Sequence, residues 1–141
     1  MSALPEGYDV GFDMIDVEAA HAFLTTSYWS KNVPLETVRR ALDNSLCVAV
    51  RHGDRQVGFA RVVTDRATFA YLADVYVLED HRRRGLAAAM VAALQDHPEM
   101  QGLRRWMLAT LDAHALYRRL GWQQVPDPSI IMQRHFPDVY A

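Results

Sequence analysis

Three consecutive arginines, Arg82, Arg83 and Arg84, stand in "LEDHRRRGLAAAM" between an apolar run and a glycine followed by alanines. Where such a segment opens a helix at the end of a strand, the first helical amides lack intrahelical partners and carry partial positive charge, which makes an anion site. The arginines add charge, and Gly85, Ala87 and Ala88 leave the backbone open to close approach. A phosphate or pyrophosphate suits that chemistry; a solvated basic loop is the competing reading. Neither G-x-x-x-x-G-K-[ST] nor G-x-G-x-x-G occurs, so neither an NTPase nor a dinucleotide enzyme follows.

Asp74 is the one charge inside "FAYLADVYV". A buried carboxylate must be paired, hydrogen-bonded or set in a polar pocket. It either draws in an ammonium and receives its proton through water, or pairs with one of the fourteen arginines. In "TTSYWSKN", Tyr28 and Trp29 form an aromatic wall for a cation or anchor their loop to the core, with Thr26 and Ser27 as further hydrogen-bonding groups. Tyr117 lies in "HALYRRLGW" beside Leu116 and Leu120 and by itself reads as a core aromatic. His81 reads as loop surface or as an auxiliary anion contact. The six histidines form no H-x-x-x-H pair and Cys47 stands alone, so no metal site is expected.

The chain that must position these groups has 141 residues, half of them hydrophobic, and a formal charge of -2. That length fits one domain over residues 1–141 with a core independent of disulfides or metals, and the charge confines any basic site to one locality. No second basic stripe accompanies the arginines, which argues against nucleic acid. No apolar run is long enough to span a membrane, and "MSALPEGYDV" has no signal-peptide character, so a cytoplasmic protein is expected.

Along the chain, "YDVGFD" predicts an edge strand, Asp16 caps a helix through "DVEAAHAFLTT", and Pro34 starts a second helix in "LETVRRALDNS". "LCVAVRH" and "QVGFARVVT" flank a Gly53–Asp54 turn as a hairpin. A buried strand over 67–78, a helix from about Arg84 to His97 and a strand at "LRRWMLAT" follow, then a short helix at "DAHALYRRL" closed by Gly121 and two strands at "WQQV" and "SIIMQRH". Strand, helix, strand implies a parallel pair with a right-handed crossover. The fold class is therefore α/β in the α+β sense. An antiparallel N-terminal half runs into a parallel βαβ unit, in one mixed sheet of about six to seven strands with helices on both faces.

Arg82-x-x-Gly85-x-Ala87, between a buried strand and a helix, resembles the Q/R-x-x-G-x-G/A signature of the GNAT superfamily of N-acetyltransferases. "DAHALYRRLGWQQV" is similar to the C-terminal segment of that family, a Tyr four residues before a Gly followed by an aromatic. Together the two motifs cover most of Val57 to Val125. Arg83 stands where glycine is frequent. The resemblance implies acetyl-CoA as co-substrate, its pyrophosphate held by the amides at Arg82 to Ala88. It also implies a splayed strand whose Val75, Tyr76 and Val77 offer backbone groups, with Val75 and Tyr76 as candidate oxyanion amides. Tyr117 takes the place of a general acid for the thiolate, and Tyr28 and Trp29 border the acceptor, while Asp74 stays a candidate base or binding charge on its own position in the strand. Some family members carry a glutamate base at the position of Ala73. The reaction implied is acetyl transfer to a primary amine, that of a small molecule, by direct attack in a ternary complex. The alternative is a non-catalytic coenzyme A-binding sensor. The apolar segment "SIIM" offers a strand for pairing across a homodimer.

Overall fold

The computed structural model describes residues 4–141. Strand β1 (Tyr8–Gly11) is followed by helices α1 (Val17–Leu24) and α2 (Leu35–Asp43), and then by strands β2 (Leu46–His52), β3 (Arg55–Thr64) and β4 (Phe69–Val77). Helix α3 (Leu86–Asp96), strand β5 (Arg105–Met107) and helix α4 (His114–Arg119) complete the regular structure, apart from short 3-10 turns. The strands lie in sequence order, antiparallel from β1 to β4, with β5 parallel to β4. Parallel pairing of β4 and β5 requires the α3 crossover between them.

Each face of the sheet is closed by the helices whose apolar spacing matches it. Met90, Val91 and Leu94 of α3 pack with Val48, Val50 and Val62, while Leu24 of α1 and Val38 and Leu42 of α2 join Phe59 and Tyr76 on the other face. Gly58 allows the first contact, because a Cβ there would stand 3.2 Å from the Met90 Cε and 3.1 Å from the Tyr76 carbonyl. Asp16 caps α1, accepting from the Ala19 amide at 2.9 Å. The buried Gln56 side chain fixes that cap to β3, accepting from the Asp16 amide at 2.8 Å and donating to its carbonyl at 3.1 Å.

Three expectations need correction. Pro34 is the N-cap of α2, one residue before the helix, and α3 begins at Leu86 rather than Arg84. Among the described residues the sheet has five strands, not six or seven, because "WQQV" and "SIIMQRH" form none. A strand needs a neighbour to bond, and residues 123–126 donate no backbone hydrogen bond to another backbone group among the described residues. The side chains from Gln123 to Val139 are exposed.

Candidate active site

The site begins with a mismatch in strand length. Strand β4 pairs with β5 only at Phe69, Ala70 and Tyr71, whereas it continues to Val77. Beyond Tyr71 the two strands part, and the gap opens into a cleft of about 1160 Å³. Leu78 donates to the Val57 carbonyl at 2.8 Å, in the same register that opposes Tyr76 to Phe59 and Val77 to Gly58. By the alternation of an antiparallel ladder, the Tyr76 amide faces β3 and the backbone groups of Val77 face the cleft side. Val75 lines the cleft half-buried. Tyr76 is thereby displaced as a candidate oxyanion amide. Its ring, stacked on Phe23 at 4.0 Å, belongs to the α1–α2 core, and burial pushes its phenol up to about 12.

Asp74 sits where the register between β3 and β4 shifts, at φ +58°, a conformation uncommon outside glycine. The bulge turns its carboxylate toward two donors. Arg61 Nε donates to Oδ2 at 2.6 Å and Trp29 Nε1 to Oδ1 at 2.8 Å. The pair is mostly shielded from water, with side-chain exposures of 17% for Arg61 and 10% for Asp74. Arg61 is held in turn by Ser45, whose Oγ accepts at 2.9 Å from Nη1 and donates to the Ala41 carbonyl at 2.7 Å. Of the two readings of Asp74, the internal ion pair is the one the structure contains. Trp29 is tied down by the same carboxylate, while Tyr28, 71% exposed, packs edge-on against it at 5.1 Å. Thr26 and Ser27 spend their hydroxyls on the carbonyls of Phe23 and Leu24.

At the other end of the cleft the chain turns through Arg83 (φ +63°) and Gly85 (φ +75°) into α3. No side chain caps this helix. Arg82 N–H bonds back to Glu79 and Ala89 N–H to Gly85, but the amides of residues 83–88 donate to no backbone group among the described residues. Gly85, Ala87 and Ala88 line the cleft there, with nothing within 4 Å of where a Gly85 Cβ would stand. The three arginines divide their roles. Arg82 lines the cleft and donates from Nε to the Val77 carbonyl at 2.8 Å, which ties the turn to β4, and Arg83 also borders the cleft. Arg84 is not at the cleft: it lies over the Tyr8 ring, 6.0 Å from its centroid, and bonds the Asp80 carbonyl. His81 borders the cleft, its Nδ1 2.7 Å from the Tyr8 hydroxyl.

Tyr117, on α4, reaches the same cleft from the β5 side. Its helix is locked by Trp122, which donates to the Gln95 side chain of α3 at 2.7 Å and from its amide to the Tyr117 carbonyl at 3.0 Å. Burial raises the Tyr117 phenol above its usual range. Among the described residues no buried side-chain polar atom lacks a partner. The Tyr117 hydroxyl has none among the described residues, so it opens onto the cleft that Tyr117 lines.

The sequence profile of the acetyltransferase (GNAT) family matches residues 16–122, which include β4, the arginine turn and Tyr117. The chain belongs to that family. A protein from Gibberella zeae named as an acetyltransferase is 31% identical over 132 residues, which span 77% of this chain and 73% of that one. A crystal structure from Xanthomonas campestris, named as an acetyltransferase of the GNAT family, is 44% identical, with a TM-score of 0.92 over 99% of both chains. A Clostridium acetobutylicum structure, titled as an acetyltransferase with acetyl-CoA, shares the fold at 13% identity and a TM-score of 0.67, covering 91% of this chain and 94% of that one.

On this GNAT chain, one cleft gathers Tyr28, Trp29, Asp74, Val75, Tyr76, Val77, Arg82, Arg83, Gly85, Ala87, Ala88 and Tyr117, and leaves Arg84 outside. Sequence reasoning missed Arg61. Its signal was present: it is the single charge in "VGFARVVT", as Asp74 is in the next strand, and two lone charges on adjacent apolar strands satisfy each other.

Proposed function

We propose that this chain transfers an acetyl group from acetyl-CoA to a primary amine, that of a small molecule, by direct attack. The observation that carries the reading is a single cleft with unpaired amides of residues 83–88 at one end and the unpartnered Tyr117 hydroxyl beside it. The unpaired amides and the dipole of α3 fit a pyrophosphate, with Arg82 and Arg83 at its edge. The Clostridium structure of the same fold, titled with acetyl-CoA, agrees with that choice of donor. Bound there, acetyl-CoA supplies a thioester whose carbonyl carbon accepts the amine nitrogen as its C–S bond breaks.

The Val75 backbone and the Val77 amide, freed from β5 by the splay, offer hydrogen bonds to the thioester carbonyl and to the rest of the coenzyme, while the Val77 carbonyl is held by Arg82. Tyr117 gives its proton to the leaving sulfur, a task for which a phenol raised by burial stays protonated at neutral pH. Asp74, with a donor on each oxygen, serves as a positioning residue. It holds Trp29 and the bulge in place, and the amine loses its proton to water. Tyr28, Trp29 and Tyr71 line the acceptor end, an aromatic wall with room for a small cationic substrate. The lone buried thiol of Cys47, pushed up to about 11 mainly by burial, suits a reducing, cytoplasmic setting.

The first test is a thermal-shift titration with coenzyme A, acetyl-CoA and ATP, followed by a thiol-release assay across amines. A rise in Tm with both coenzymes and little with ATP is expected. Tyr117→Phe should lower kcat by roughly 100-fold or more at unchanged acetyl-CoA affinity. Tight coenzyme binding without turnover on any amine would replace the enzyme by a coenzyme A sensor, and loss of coenzyme affinity with Tyr117→Phe would move that residue from proton donor to binding contact.

A further inference from the structure

The exposed apolar side chains of this molecule are not scattered. Apart from Met14 and the segment after Trp122, every large hydrophobic side chain exposed among the described residues belongs to Tyr28, Trp29, Val63, Phe69, Tyr71 or Leu111. Tyr28, Trp29, Tyr71 and Leu111 line the cleft. The other two extend from it, for Val63 is the partner of Tyr71 in the β3–β4 ladder and Phe69 lies two residues before Tyr71 on β4. A lone exposed apolar residue is ordinary, whereas a contiguous group opening from a cleft marks a surface that a ligand or partner covers.

Alternation along the strands puts the group on one face. Val62, Ala70 and Leu72 point into the core with α3, so Val63, Phe69 and Tyr71 point the opposite way, to the side of α1 and α2. Along that face of β3, Phe59 is buried by the two helices, Arg61 is mostly shielded and Val63 is 45% exposed, because the helical layer stops at the Arg61–Asp74 pair. Phe69 and Tyr71 are 37% and 39% exposed. The strip they form is held by its own hairpin. Asp65 Oδ1 accepts from the amides of Ala67, Thr68 and Phe69 at 2.9, 2.8 and 3.2 Å, and the Thr64 hydroxyl donates to the Phe69 carbonyl at 2.6 Å. At the far end of the strip, Arg105 of β5 is aligned with Phe69.

We infer that the acceptor is a monoamine with an elongated apolar body, its nitrogen in the cleft and its body laid along β4 from Tyr71 over Val63 and Phe69. The inference rests on the acetyl-transfer reading and gives that reading its substrate class. Tyr71 belongs to both the cleft and the strip, so a chain bound by its nitrogen beside the aromatic wall continues onto the strip without a break. From Tyr71 to Phe69 the strand runs roughly 7 Å, a length that several methylenes cover. An apolar body removes these side chains from water, and their fixed positions mean that little freedom is lost when they are covered. The strip offers a second ammonium no free carboxylate: Asp74 is taken by Arg61, Asp65 by the hairpin amides, and Arg105 at the far end carries the same sign.

The test compares ethylamine, octylamine and 1,8-diaminooctane on the full chain, by thiol release with acetyl-CoA and by calorimetric binding in the presence of coenzyme A. Octylamine should exceed ethylamine in kcat/KM by roughly 100-fold, with the difference in KM, because a covered body is held alike in the ground state and the transition state. The diamine, of the same length but charged at its far end, should fall at least about tenfold below octylamine. In Val63→Ser/Phe69→Ser, changed only at exposed positions, the advantage of octylamine should shrink at least about tenfold, in affinity as in KM. Equal kcat/KM for ethylamine and octylamine overturns the inference and leaves acetyl transfer standing, as does a diamine equal to octylamine. If no amine is turned over, the acetyl-transfer reading falls and calorimetry decides the strip: octylamine affinity that drops in the variant upholds it, and affinity that is absent or unchanged overturns it. A wild-type dimer that the variant splits into monomers, seen by light scattering, assigns the face to a second copy and also overturns the inference. The comparison of the three amines on the wild type holds whether or not the variant folds.

Discussion

The two ends of β4 build their parts of the cleft by different means. At the carboxyl end, beyond Val77, the turn through Gly85 presents backbone: unpaired amides, an uncapped helix start and side chains kept small. At the Asp74 bulge the site is made of side chains drawn from the α1–α2 loop, β3 and β4, each satisfied by another. The first end keeps its polar groups free and is therefore fit to take a ligand. The second spends its polar groups on itself and fixes a shape. The family signature falls on the first end, because a run of unpaired backbone amides is specified by one contiguous stretch of chain.

That contrast can be broken by substitutions chosen for each end. The largest stability effect belongs to Arg61→Met, which leaves the shielded Asp74 carboxylate with only Trp29 as donor. It should cost about 3 kcal/mol in denaturant unfolding, and Asp74→Asn in the same chain should recover part of the loss. Recovery would show that the pair is a charge balance rather than a site kept free for substrate. At the other end, Ala87→Asp places a carboxylate in the first turn of α3, where it favours the helix but opposes a phosphate. Acetyl-CoA affinity should fall roughly tenfold or more while Tm is unchanged or rises, a split readable by calorimetry and thermal melting. The smallest effect is one of pH. Since burial raises the Tyr117 phenol, its proton is retained to higher pH than that of a free tyrosine, and kcat should show no descending limb below about pH 10. A limb near neutrality would move proton donation from Tyr117 to another group.

The sequence predicted both helices of the N-terminal half, the β2–β3 hairpin and the β4–α3–β5 crossover. Each of these is written in local periodicity or a local cap, as in Asp16 before α1 and the Leu35, Val38 and Leu42 spacing of α2. It failed at the C-terminal segment, where "SIIMQRH" has strand character and pairs with no strand among the described residues. Strand propensity expresses a fit to a neighbouring strand, so it cannot be read without knowing where that neighbour lies.

For the site, the chain by itself determined the turn of unpaired amides that opens α3 and the place of Tyr117, since both rest on spacings within a few residues of a helix end. Tertiary structure alone decided that Arg61 and Trp29 meet on Asp74, that Arg84 turns away to Tyr8 and that the Tyr76 amide faces β3. Those outcomes depend on a one-residue shift of register and on contacts between residues up to 76 positions apart. A pattern of period two or 3.6 carries no record of either.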